Sequence, residues 1–111
     1  MSDAPEPNAY WGERVKIKLH KGDLPKDLDL GSVVAVDTET LGLNPQRDRL
    51  CLVQLSSGNG DAHLVQFAKD SYAAPNLKAL LERKSVLKLF HFARFDLATI
   101  RRYLGVVAAP C

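Results

Sequence analysis

The sequence predicts an α/β fold, a mixed sheet flanked by helices, and three observations carry that expectation. Val33-Val34-Ala35-Val36 is an unbroken run of β-branched and small residues, apolar on both alternating faces, the pattern of a strand buried on both faces in the middle of a sheet. Residues 50–56 and 62–67 have strand composition and flank Ser57-Gly58-Asn59-Gly60-Asp61, a tight turn. Behind them lie two segments with helical spacing of their apolar residues, separated by a short apolar strand. With 111 residues the chain is one domain at most.

Taken in order, residues 1–13 are polar and proline-bearing and read as a flexible N-terminal tail, with Tyr10 and Trp11 free to pack on a neighbouring surface or to stay exposed. The domain proper is expected over residues 14–111. Residues 14–20, RVKIKLH, alternate basic and apolar positions and suit an edge strand, where charge discourages pairing with other chains. Residues 22–30 form a polar connection, and residues 33–38 the central strand. An Asn44-Pro45 turn signal separates that strand from residues 50–56. Residues 75–84 read as a helix with Pro75 in its first turn and Leu77, Leu80 and Leu81 on one face. A strand over residues 86–90 leads into a helix over residues 91–105, stopped by Gly105. The strands at 33–38 and 86–90 are expected side by side and parallel, joined by a helix-containing crossover.

Composition narrows the function classes only a little. A hydrophobic fraction of 46% and a charged fraction of 25% are those of an ordinary globular protein. A net charge of +2 neither argues for a nucleic-acid partner nor excludes one, because a local basic patch can act alone. No apolar run approaches the ~20 residues of a membrane span, and the N-terminal stretch does not have the build of a signal peptide. Cys51 and Cys111 make no disulfide framework, and Cys51, inside a strand pattern, is expected to be a buried free thiol. The compartment expected is cytoplasmic.

The chemistry concentrates at two places. The central strand ends in Asp37 and Glu39, two residues apart, so both carboxylates point to one face about 6–7 Å apart along the strand. Paired acids at a strand end suit hard divalent cations; a solvated acidic strand end is the plainer alternative. In the second helix Phe92, Phe95, Thr99, Ile100 and Tyr103 share a face, and Asp96 lies in its middle. An acid on a buried stripe is paired, capped or liganding something. A salt bridge to an arginine would satisfy it alone, whereas a shared metal site would account for all three acids. A parallel arrangement of the two strands would bring them to one edge of the sheet.

These motifs resemble a known family. VDTETLGL is similar to the first, Asp-x-Glu motif of the DEDD 3′→5′ exonucleases, and HFARFD to their second. From about residue 14 onward the chain resembles bacterial ribonuclease D-like proteins, with DTETLGLNPQRDRLCLVQLSSG closest to the small single-domain, oligoribonuclease-type members called nanoRNase C. The resemblance implies a ribonuclease H-like mixed sheet of about five strands. It implies two Mg²⁺ or Mn²⁺ ions supporting attack of water on the terminal phosphodiester, with release of nucleoside 5′-monophosphates. By the same analogy Asp37, Glu39 and Asp96 are metal ligands and catalytic. The backbone at Thr38 and Glu39 would approach the terminal sugar, with Leu41 or Leu43 as a wedge against the last base or as simple core. His91 and Arg94 would contact the substrate, or serve as a structural histidine and a solvated helix face. Arg47 and Arg49 read as a charged loop. The partners implied are single-stranded RNA, short oligonucleotides, DNA as a second option, and further copies of the chain in a homo-oligomer, an octamer by resemblance.

The third family motif, Tyr-x-x-x-Asp, is absent: four residues beyond Tyr72 stands Asn76, and beyond Tyr103 stands Val107. The expectation is therefore an incomplete fold, the N-terminal half of such an exonuclease, inactive alone. Two alternatives stand beside it, a non-catalytic metal- or nucleic-acid-binding fragment and another ribonuclease H-like nuclease such as an endonuclease.

Overall fold

The computed structural model describes residues 16–42, 48–58, 60–91 and 93–110. Five strands form one sheet: β1 (Lys16–Lys21), β2 (Val33–Thr40), β3 (Leu50–Ser56), β4 (Asp61–Gln66) and β5 (Leu87–Phe90), in the order β1-β4-β3-β2-β5. Two helices, α1 (Pro75–Glu82) and α2 (Ala93–Leu104), complete the described elements. Strands β2, β3 and β4 run antiparallel in a meander, while β1 joins β4 and β5 joins β2 in parallel. The mixed α/β architecture, the edge position of β1 and the parallel β2–β5 pair agree with the sequence reading. None of the described helices is long and apolar enough to cross a membrane.

Local chemistry accounts for the elements. Gly58 and Gly60 take positive φ in the β3–β4 turn, which a residue with a Cβ adopts only at a cost. Pro75 opens α1, where its missing N–H is no loss. The N–H groups of Asn76 and Leu77 donate to the Asp23 carboxylate at 2.9 and 2.8 Å, so a residue of the β1–β2 connection caps this helix. Gly105, at φ 73°, closes α2, and its N–H donates to the carbonyls of Ile100 and Arg101.

The helices pack on one face of the sheet. Val34, Val36, Val53, Leu55 and Val65 meet Leu77, Leu80, Leu81, Ile100 and Leu104 in a single core. The other face follows from the registers, since cross-strand partners share a face. Ile17 pairs with Ala62 and Leu19 with Leu64; Ala35 pairs with both Ser56 and Leu89, and Val33 with Leu87. On that face Ile17 (67%), Leu19 (53%) and Leu89 (49%) are widely exposed, as are Val33 and Leu87. No described element covers it.

Three expectations need correction. The run at residues 33–36 suggested a strand buried on both faces, yet Val33 and Ala35 are exposed and only Val34 and Val36 are buried, because the helices lie on one side. The strand does not stop at residue 38 but continues to Thr40, with a register irregularity between Glu39 and Thr40. Cys51 is a free thiol but only half-buried, near the start of β3 with its thiol against the Arg49 carbonyl of the preceding loop. The tail at residues 1–13, Leu43 and Arg47 lie outside the described residues.

Candidate active site

The site grows from the alternation of β2. Asp37 and Glu39 point to the open face and are exposed, while Thr38 between them points inward and is buried. The first turn of α2 brings Asp96 against the inward side, where it is 1% exposed. The passage from the end of β5 at Phe90 to the start of α2 at Ala93 is short, so the parallel β2–β5 pair is what carries this helix to the end of β2.

Asp37, Glu39 and Asp96 line one cavity of about 640 Å³, together with Thr38, Thr40, Gly42 and Phe95. Asp37 also lines a second cavity of about 340 Å³ with Gln54, Leu89, Phe90 and His91. Asp37 Oδ1 accepts from the Thr38 N–H at 3.0 Å, and Asp96 Oδ1 accepts from the Thr38 hydroxyl at 2.5 Å. Asp96 therefore makes its buried contact with a strand hydroxyl. The Thr40 hydroxyl donates to the Gly42 carbonyl, and the Asp48 carboxylate lies over Gly42 so closely that a Cβ there would push it aside.

An all-oxygen set of three carboxylates suits Mg²⁺ or Mn²⁺ chemically. The three share a cavity, but among the described residues no three His, Cys, Asp or Glu side chains are gathered into a cluster that could hold a metal ion. The separation follows from the fold: two of the acids belong to the open face, and the third reaches the cavity from the helix-covered face.

Of the other expected site residues, Leu41 projects from the end of β2 and is 70% exposed, next to the cavity-lining Thr40 and Gly42. His91 is exposed at the smaller cavity. Arg94 is exposed on the first turn of α2 and lines neither cavity. The Arg49 guanidinium donates to the Phe67 and Leu50 carbonyls at 3.2 and 3.4 Å and lines neither cavity. The sequence reading missed Gln54, which pairs with Asp37 across the sheet and lines the smaller cavity, because it requires the β2–β3 register. It also missed the use of the Thr38 side chain, which the period of two would have turned away from the acids.

The model of the 3′-5′ exonuclease family matches residues 17–110. This chain belongs to that family. It is 47% identical to Brucella melitensis NrnC bound to pGG, covering 86% of this chain and 48% of that one with a TM-score of 0.82. The same nuclease with bound Mg²⁺ matches at 48% identity, with the same coverages and the same TM-score. Ribonuclease D of Bartonella henselae is 31% identical over 77 residues, 69% of this chain and 19% of that protein. The present chain thus spans about half of NrnC and a fifth of the ribonuclease D. The α/β sheet described above is the ribonuclease H-like arrangement expected of this exonuclease family.

Proposed function

We propose that this chain is the acid-bearing half of a 3′→5′ exoribonuclease that releases nucleoside 5′-monophosphates from short RNA oligonucleotides, with residues 14–111 the N-terminal part of the exonuclease domain. The observation that carries the proposal is the meeting of Asp37, Glu39 and Asp96 at one cavity where β2 ends and α2 begins. Family membership and the likeness to a nuclease crystallised with pGG and with Mg²⁺ support it. In this reading the three carboxylates hold two divalent ions, which activate water and neutralise charge on the scissile phosphate. The exposed Asp37 and Glu39 face the incoming strand, and Asp96 closes the cavity from the helix side. Leu41 would pack on the terminal base, and the sequence has no long basic stretch and a net charge of only +2 with which to grip an extended backbone, so recognition falls on the last nucleotides. The complete enzyme would act in the cytoplasm as a homo-oligomer, an octamer by family resemblance.

A second reading is favoured for the 111 residues by themselves. The Tyr-x-x-x-Asp motif is missing from the sequence, and no metal-binding cluster forms among the described residues. The chain alone would then bind metal or nucleic acid weakly without turnover. One experiment separates these readings. The chain is assayed alone, and again joined to the C-terminal half of Brucella melitensis NrnC, with 5′-labelled RNAs of two to about twenty nucleotides, their DNA counterparts, and Mg²⁺ or Mn²⁺. We expect no product from the chain alone and monophosphates from the hybrid, fastest on the shortest RNAs. A folded hybrid that stays silent sinks the exonuclease assignment, and a steep rise of efficiency with length sinks the short-substrate one.

A further inference from the structure

We propose that Thr38 is a positioning residue that sets the Asp37 and Asp96 carboxylates relative to one another; the proposal rests on the exonuclease reading of the cavity. The two acids start on opposite faces of the sheet, Asp37 on the open face and Asp96 on the helix-covered one. They can share a cavity because β5 pairs with β2 only as far as Val36, leaving the last residues of β2 without a strand on that side among the described residues. Thr38 sits at this uncovered end and spends two different donors on the two acids. Its backbone N–H donates to Asp37 Oδ1 at 3.0 Å, and its hydroxyl donates to Asp96 Oδ1 at 2.5 Å, within the range of a charge-assisted O–H···O⁻ bond.

The side chain suits this task. Thr38 is 7% exposed and Asp96 1%, so little water competes for the bond. A β-branched residue in a strand has few χ1 choices, so the hydroxyl direction is set by the backbone that also holds Asp37. Metal-binding carboxylates need their orientation held by hydrogen bonds from behind, and losing such a support commonly weakens metal affinity about 10–100-fold. Thr38 is in this view not a substrate contact through its side chain, which points away from the face that carries Asp37 and Glu39.

The test uses the whole 111-residue chain in two measurements. Mn²⁺ affinity is titrated by the electron paramagnetic resonance of the free ion for wild type, Thr38→Val, Thr38→Ser and Asp37→Asn. Urea unfolding in metal-free buffer is measured for wild type, Thr38→Val, Asp96→Ala and the double variant. We expect Thr38→Val to weaken Mn²⁺ about tenfold or more and Thr38→Ser to stay within about threefold of wild type. The metal-free cycle should show about tenfold coupling in the unfolding constant, as a hydrogen bond to a charged group gives. Thr38→Val binding Mn²⁺ as wild type does, or Thr38→Ser losing as much as Thr38→Val, overturns the positioning role. A cycle without coupling overturns the Thr38–Asp96 contact. A wild type that binds Mn²⁺ no better than Asp37→Asn overturns the metal-holding role of these acids in this chain, and the positioning role with it, while the exonuclease reading is decided separately by the hybrid assay.

Discussion

Lys88 is a lysine with no exposed surface, in the middle of β5. Its ammonium donates to the carbonyls of Arg83 at 2.6 Å and Ala109 at 2.7 Å, and its N–H to the carbonyl of Pro110. A buried charge is tolerated when such donors are matched. Lys88→Met keeps the length and removes the donors, leaving carbonyls buried, and should lower stability by about 2 kcal/mol in urea unfolding. Asp37→Asn is a different kind of change, since it removes charge at an exposed position and little volume. In the hybrid enzyme it should cut turnover by a factor of about 10² or more while the circular dichroism stays the same; turnover near the wild-type rate would remove Asp37 from the catalytic set.

At the scale of elements, helix α1 depends on a residue from another part of the chain. Ala74 precedes Pro75 with φ 34° and offers no side-chain oxygen, so Asp23 supplies the cap to Asn76 and Leu77. Asp23→Ala should cost about 1–2 kcal/mol in urea unfolding. Strands β1 and β4 carry a second device, His20 Nε2 and His63 Nδ1 lying 2.9 Å apart with stacked rings. Burial, reinforced by His20 and Lys18 and opposed by Asp61, holds the His63 imidazole below its ordinary value. The unfolded chain then takes up the proton at a higher pH than the folded one. Stability is full above about pH 6.5 and falls as the pH drops below it. Replacing His63 with Asn should flatten that decline in urea midpoints taken between pH 7.5 and 5.5. The elements themselves are legible in the sequence, because strand alternation, Pro75 at a helix start and Gly105 at a helix end are local signals. The Asp23 cap, the His20–His63 contact and the Thr38–Asp96 bond are not, because each joins residues far apart in the chain. The acids at Asp37, Glu39 and Asp96 are legible as charges where apolar residues belong; their spread over two faces is not, since it depends on which side the helices take.

At the scale of the molecule, the sheet has one face packed by helices and one apolar face that no described element covers. Exposed apolar surface of this extent marks an interaction site or an aggregation hazard. We expect the isolated chain to self-associate, with sedimentation that depends on concentration. Leu19→Lys combined with Leu89→Lys should reduce that association while leaving the helical and strand content unchanged. If the double variant associates as strongly as the wild type, this face is not responsible. The same face carries Asp37 and Glu39, so whatever polypeptide covers it will also wall the cavity.

The sheet order also has a temporal consequence. Strand β1 leaves the ribosome before every other described element, yet its only strand partner among the described residues is β4, which follows two more strands and their turns. The β2–β3–β4 meander needs only short closures and can assemble early, whereas the β1–β4 pairing must close a long loop. In refolding followed by pulsed hydrogen exchange, the β1 amides should therefore gain protection after those of β2 and β3. The first residues to be synthesised in the sheet wait longest for their place in it, and during that wait both β1 and the bare edge of β4 are open to recruitment by another chain.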